Sequence, residues 1–235
     1  MKWQQHKSCL AVGMCVLGMA GGVPAAELNV YANLTTDYVF RGVTYSDGDP
    51  AAQFGLEIGA GLGAYAGAWV STIDINNGAL RQRNVELSYY LGYAHELSSR
   101  WNLGASVVAV TYPEASGAVD YDYVEYSISA NYDDRAWLEY SYSPDLHNSG
   151  KSTRNIEFYS EWLLSEDWSL GAGGGFYDTS ALTGDEYAYW QLGFARQISR
   201  VVADLRYHDT NHWVPIISSS ARTGPRIVLS VKFSF

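Results

Sequence analysis

The chain has 235 residues and a formal net charge of −10, with 14% aromatic and only 17% charged residues. Soluble globular chains average about 25% charged residues. An acidic chain binds nucleic acid poorly, so no nucleic-acid partner is expected. The 19 tyrosines, the 23 glycines and the low charge together favour β-structure with a partly apolar exterior.

The first 25 residues have the pattern of a secretory signal peptide. Lys2 and Lys7 give a basic start, Cys9–Gly18 is a short apolar run, and small residues ending at Ala25 form a cleavage site. The run is too short and too rich in glycine for a transmembrane anchor. Cleavage after Ala25 would remove both cysteines, so residues 26–235 are expected to fold without a disulfide or a thiolate metal site.

Residues 26–235 alternate apolar and polar side chains with a period of two, which is typical of β-strands with two different faces. The first segment shows it well, because Leu28, Val30 and Ala32 alternate with Asn29 and Asn33. The segment 64–73 has an ambiguous facing, since alanines compete with aromatic residues for the outer side. Twelve segments are long enough to cross a bilayer as tilted strands: 28–41, 52–62, 64–73, 83–95, 101–112, 121–130, 135–142, 154–163, 168–177, 186–196, 201–208 and 225–235.

The connections between these segments alternate between short and long. Short periplasmic turns and longer external loops are characteristic of outer-membrane barrels. The sequence therefore predicts an all-β, up-and-down antiparallel transmembrane barrel of about 12 strands in the bacterial outer membrane, with both termini periplasmic. The long connections are predicted near 42–51, 74–82, 113–120, 143–153, 178–185 and 209–224. The alternative is a soluble β-sandwich or lipocalin-like protein, which would bury its apolar faces.

The last strand and a set of aromatic residues indicate contact with lipid. Four alternating apolar residues end the chain and resemble the signal read by the outer-membrane barrel-assembly machinery: Leu229, Val231, Phe233 and Phe235. The alternative is a soluble edge strand that happens to end in Phe. Aromatic rings are favoured at membrane interfaces. One such level is predicted at Tyr93, Trp101, Trp162, Trp168, Phe233 and Phe235, and the opposite level at Tyr38, Phe40, Phe176 and Tyr207. Outer-membrane lipid and lipopolysaccharide are the expected surroundings.

Two short motifs resemble a known family. Asp37–Val43 reads DYVFRGV and is followed by Pro50-Ala51, and a second motif runs Tyr65-x-Gly67-x-Trp69-x-Ser71. Both resemble a proteobacterial family of outer-membrane porins labelled TorF-like. The resemblance implies an outer-membrane barrel and a pore over essentially the whole chain after the signal peptide, and it implies no particular binding residues.

Charged residues on the predicted inward face define two walls. The basic set is Arg41, Arg206, Arg226 and Lys232, and the acidic set is Glu57, Glu86, Glu125, Glu139, Glu157 and Glu161. Because the first and last strands pair in a closed barrel, the two sets should lie opposite each other. Such walls would create a transverse field that favours polar and charged solutes. The hypothesis is a passive, mildly cation-preferring diffusion pore that needs no cofactor or metal.

Other functions are compatible with parts of the sequence. The charges could instead form salt bridges that fill a closed lumen, which would leave a structural or surface-interaction barrel. A lipase- or protease-type enzyme would need a serine near His208, Asp209 or His212, but no nucleophile motif surrounds Ser218–Ser220. The carboxylates of residues 45–50 are too few for a calcium loop, so a solvated turn is predicted there.

Overall fold

The computed structural model describes residues 27–60, 62–76, 81–113, 121–212 and 223–235. The predicted signal peptide, residues 1–25, lies outside them. No helix in these ranges is long and apolar enough to cross a membrane.

Twelve strands form one closed antiparallel barrel, and two short strands form a separate hairpin. Each barrel strand pairs with its neighbour along the chain, and the barrel closes where the first strand pairs with the last. The predicted up-and-down barrel of 12 strands is therefore confirmed. In chain order the strands are β1 (Glu27–Thr35), β2 (Val39–Phe40), β3 (Val43–Thr44), β4 (Ala51–Gly59), β5 (Ala64–Asn76), β6 (Arg81–Glu96), β7 (Trp101–Thr111), β8 (Tyr123–Tyr132), β9 (Ala136–Ser143), β10 (Thr153–Leu163), β11 (Trp168–Asp178), β12 (Glu186–Ile198), β13 (Val201–Thr210) and β14 (Arg226–Ser234); β2 and β3 are the hairpin.

The barrel has two different ends. The end where β1 begins and β14 ends, here the terminal end, carries short turns such as Leu97–Arg100. The opposite end, here the loop end, carries most of the longer connections. The connection predicted near 74–82 is an exception, because β5 runs to Asn76 and β6 begins at Arg81. The ladder continues past the predicted limit through polar pairs such as Asp74 with Arg83.

Successive residues of each strand face opposite sides of the barrel. On β12 the side chains of Leu192 and Phe194 are exposed outside, whereas Tyr187 and Tyr189 are buried inside. The facing of β5 was ambiguous in the sequence. In the structure its aromatic residues Tyr65 and Trp69 face inward, and its alanines face outward. The aromatic residues predicted at one membrane interface are all exposed on the outer face towards the terminal end: Tyr93, Trp101, Trp162, Trp168, Phe233 and Phe235.

The high tyrosine and glycine content has a common structural reason. Inward tyrosine rings lie across glycines of neighbouring strands, as Tyr31 does over Gly55 and Tyr189 over Gly175. A side chain at such a glycine would occupy the space of the ring, so close approach requires glycine there. The interior is therefore filled by large rings that lie flat against the wall.

Candidate functional site

Residues 37–46 leave the barrel wall after β1 and fold into the interior. Strands β2 and β3 pair there through Val39 with Thr44 and Phe40 with Val43. Arg41 and Gly42 form the turn between them, and both have positive φ angles of 49° and 78°, as hairpin turns with a matching twist require. Thr44 has no exposed surface. We call residues Asp37–Ser46 the inner hairpin.

The inner hairpin corrects four predictions. The first strand was predicted to run over 28–41 but ends at Thr35, and the segment predicted as an external loop lies largely inside the barrel. The alternation of apolar and polar residues continues through Tyr38 and Phe40, so the pattern alone does not reveal where the chain leaves the wall. For the same reason these two residues are not part of a membrane interface: Tyr38 is 3% exposed and packs inside. Tyr45 and Ser46, predicted in a solvated turn, are also buried.

The Asp37 carboxylate links the two ends of the inner hairpin to each other and links the inner hairpin to the barrel wall. One of its carboxylate oxygens accepts hydrogen bonds from the hydroxyl groups of Thr44 and Ser46. The other accepts from Nη1 of Arg226 on β14 at 3.2 Å. The backbone N–H of Tyr38 also donates to the Ser46 hydroxyl at 2.8 Å. The base of the inner hairpin is thus closed by one buried carboxylate.

The upper part of the interior, towards the loop end, is a tyrosine-rich core. Tyr38 lies 5.3 Å from Tyr45 and 5.5 Å from Trp69, measured between ring centroids. Wall residues complete this core around the inner hairpin: Ala51, Ile73, Val110, Tyr112, Tyr177, Tyr187 and Tyr189. The inner hairpin therefore fills the lumen at this level.

Arg41 crosses the lumen and forms an ion pair with Glu125 on β8. Both guanidinium Nη atoms donate to the carboxylate, at 2.8 and 2.9 Å. The guanidinium also lies over the rings of Phe40, at 4.6 Å, and of Tyr177, at 4.8 Å. The prediction that Arg41 belongs to a basic wall is wrong, because it lies on the inner hairpin and contacts a residue of the opposite, acidic set.

The side chains of the other basic residues face the interior, and each contacts a carboxylate or an aromatic ring close to it. Arg206 binds Asp204, two positions away on β13, at 2.9 Å, and also donates to Tyr159 at 3.1 Å. Arg226 binds Asp37, as described above. Lys232 lies 4.3 Å from the centroid of the Tyr31 ring. The arginine charges are thus paired locally rather than separated across an open lumen.

The predicted acidic residues also face the interior and fall into two groups. In the loop-end half, Glu86 accepts hydrogen bonds from the hydroxyl groups of Tyr38 and Tyr112 at 3.0 and 2.9 Å. In the terminal half, Glu139 lies directly opposite Glu157 on the neighbouring strand. The other acids of that half are Glu57, which accepts from Tyr90, and Glu161. Lys232 lies near Glu57, the Arg206–Asp204 pair near Glu161, and Arg41 near Glu139. Among the described residues of this half, acidic side chains therefore outnumber basic ones.

A polar cavity lies between the inner hairpin and the wall formed by β1 and β12–β14. Its volume is about 50 Å³, which is room for a few water molecules. Backbone and side-chain atoms of the inner hairpin line one side of it, and the wall side carries mixed hydrogen-bonding groups: Thr35, Gln53, Gln191, Arg206, His208 and Ser230. Donors and acceptors are both present, so the cavity suits water and polar solutes.

A second segment, residues 144–152, folds inward at the loop end. Its Leu146 and His147 are buried. The His147 ring packs edge-on against Tyr121 and Tyr123, with centroid distances of 5.6 and 5.5 Å. Burial lowers the pKa of His147 from 6.5 to about 4. No sequence motif points to His147, although the apolar Leu146 beside it in a loop is a usable signal.

The residues considered for catalysis are not assembled into a catalytic site in the described ranges. His212 is exposed and lies 3.1 Å from Asp185, whereas His208 borders the interior cavity. Ser218–Ser220 lie outside the described residues. Among the residues that are described, no group of three or more His, Cys, Asp or Glu side chains could hold a metal ion.

A closed antiparallel barrel with an apolar exterior and a polar interior is the architecture of outer-membrane porins and channels, and three solved structures that it resembles belong to that class. The KdgM porin is 9% identical, with a TM-score of 0.54 over 89% of this chain and 99% of that one. The NanC porin is 10% identical, with a TM-score of 0.53 over 89% and 99%. The COG4313 outer membrane channel from Pseudomonas putida F1 is 12% identical, with a TM-score of 0.52 over 92% and 97%. Identities this low show a shared fold alone.

The chain belongs to the family described as bacterial protein of unknown function (Gcw_chp), whose model matches residues 20–235. No curated protein matches the chain. The comparisons do not confirm the TorF-like resemblance, which stays a prediction.

Proposed function

We propose that the protein is an outer-membrane channel for passive diffusion of small polar or charged solutes, with the inner hairpin as its constriction. The observation that supports this best is the polar cavity beside the inner hairpin, inside a barrel of porin-like fold. A barrel that served only as a membrane anchor would not need a polar cavity behind a separate inserted segment. In this proposal both termini face the periplasm, and lipid and lipopolysaccharide surround the barrel.

The acid excess of the terminal half supports a preference for cations. Glu139 and Glu157 face each other across neighbouring strands, and charged side chains inside a pore set its ion preference. The opposed walls expected from the sequence are not part of this proposal. Selectivity instead comes from unbalanced carboxylates between the inner hairpin and the terminal end.

Single-channel recording in a planar bilayer tests both parts. We expect small conductance steps for the wild-type protein, larger steps when residues 38–45 are replaced by a short Gly-Ser linker, and a reversal potential that favours cations. In E139Q/E157Q the reversal potential should move towards zero because the pore loses two charges. E96Q is the matched control, since Glu96 is exposed at the end of β6.

The barrel must be folded in each preparation, which heat-modifiable migration on a gel reports. A folded barrel that shows no ion steps, with or without the inner hairpin, would refute the channel. Equal reversal potentials for E139Q/E157Q and wild type would refute the assigned source of selectivity.

A further inference from the structure

We propose that Arg41 and Glu125 determine whether solutes pass, because their ion pair is a latch that holds the inner hairpin in the lumen. This inference rests on the proposed function. The channel is closed at the level of the tyrosine-rich core while the pair is intact, and passage requires the two side chains to separate and the inner hairpin to move.

The ion pair is the most extensive side-chain link between the tip of the inner hairpin and the far wall. It joins residues 84 positions apart through two hydrogen bonds. The side chains of Arg41 and Glu125 are only 4% and 9% exposed. Both charges have left water, so each depends on the other for compensation.

The backbone holds the inner hairpin loosely by comparison. Its own ladder consists of two residue pairs. Within the described ranges, one backbone hydrogen bond joins it to the barrel wall, from the N–H of Asp74 to the carbonyl of Tyr45, at 2.8 Å. The remaining contacts are side-chain contacts, which can break without unfolding a strand. The inner hairpin can therefore move as a unit while the barrel ladder stays intact.

Removal of one charge and removal of both charges should have opposite consequences. A lone buried charge is strongly unfavourable, whereas an apolar pair of similar volume is often tolerated as well as the ion pair. In R41Q or E125Q the remaining charge gains water when the inner hairpin leaves the lumen. In R41M/E125L no charge is left to be hydrated, so the inner hairpin should stay in place. This difference separates a charge latch from a simple filler of space.

Thiol labelling measures the position of the inner hairpin without reference to conductance. Val43 is 3% exposed, and the chain's own cysteines lie in the predicted signal peptide. V43C in the exported full-length protein should react slowly with a water-soluble maleimide. In R41Q/V43C and E125Q/V43C the rate should rise about tenfold or more, because an uncompensated buried charge favours the displaced state. R41M/E125L/V43C should react as slowly as V43C, and protein without V43C gives the background.

The same variants are then recorded in planar bilayers. R41Q and E125Q should show a higher open fraction than wild type, and R41M/E125L should not. Two single variants are used so that one remains if the other does not yield a heat-modifiable barrel.

The outcomes of these experiments are distinct. Unchanged labelling in both single variants would overturn the latch, even if the wild-type protein conducts. Fast labelling in R41M/E125L would also overturn it, because the pair would then act through volume. Fast labelling in the single variants without any conductance would support the latch and refute the channel.

Discussion

At the scale of single residues, the inner hairpin depends on the residue at its tip. Gly42 has a φ angle of +78°, a region that side chains disfavour. A Cβ atom there would also collide with Thr210 and Tyr189 of the wall. Glycine is therefore required at position 42 for two reasons: the turn needs a positive φ angle, and the barrel wall leaves no room for a Cβ atom. Gly150 has a similar φ of +70°, but a Cβ atom at that position would meet nothing within 4 Å.

The substitution Gly42→Ala should destabilise the barrel more than Gly150→Ala. Both variants carry the backbone strain, about 1–2 kcal/mol, and only Gly42→Ala adds overpacking, roughly 1–3 kcal/mol more. Urea unfolding of the detergent-solubilised barrel, followed by tryptophan fluorescence, measures the two free energies of unfolding. Equal losses would show that the tip of the inner hairpin does not press against the wall.

At the scale of elements, the sequence predicted most of the strands and failed at the end of β1 and at the connection near 74–82. Period-two alternation identified the faces of the strands because lipid outside and a polar lumen inside impose opposite side chains. The same alternation continued through Asp37–Phe40, where a tyrosine-rich interior replaces lipid as the apolar surroundings. Length gave no signal either, because a strand over 28–41 would be shorter than β6, which has 16 residues. The partners of Arg41 were beyond reach, since no local pattern specifies a contact with Glu125.

The segment 144–152 should open as the pH falls. The folded state keeps His147 neutral, with a pKa of about 4, whereas the ordinary value is 6.5. The stability of the closed segment is thus fully present above about pH 6.5 and is lost progressively towards pH 4. The side chains that pack against His147 are the rings of Tyr112, Tyr121 and Tyr123. Hydrogen exchange of residues 144–152 between pH 7 and pH 4.5 measures the effect.

The matched variant is His147→Asn. His147 has a φ of +56°, which asparagine tolerates better than most residues, so this substitution removes the titration with little change in backbone strain. After correction for the intrinsic pH dependence of exchange, protection in His147→Asn should be nearly constant with pH. A variant that opened at acid pH as the wild type does would exclude His147 as the cause.

At the scale of the whole molecule, the outer face of β14 has a predicted role in assembly. Leu229, Phe233 and Phe235 are exposed on the outer face. The N–H of Phe235 donates to the carbonyl of Val30 at 3.0 Å, which extends the closing ladder by one residue. Backbone pairing does not require an aromatic side chain at this position, so the predicted recognition by the assembly machinery would be a separate property of the ring.

Phe235→Ser should therefore reduce assembly in cells without preventing folding in detergent. We expect a several-fold lower amount of heat-modifiable barrel in outer-membrane fractions and an unchanged yield of barrel after refolding of purified protein. Phe194→Ser is the control, because Phe194 is also an exposed outward aromatic residue but lies on β12. If both variants lose assembly equally, the effect comes from lost lipid contact and not from a terminal signal.

The position of the inner hairpin in the chain also determines when its contacts can form. The inner hairpin is synthesised early, yet the residues that hold it come from the whole length of the chain. Arg41 contacts Glu125, Gly42 lies against Thr210, and Asp37 binds Arg226 on the last strand. These partners surround it only after β14 has paired with β1. The full set of contacts that hold the inner hairpin in the lumen therefore exists only in a molecule whose last strand has paired with its first.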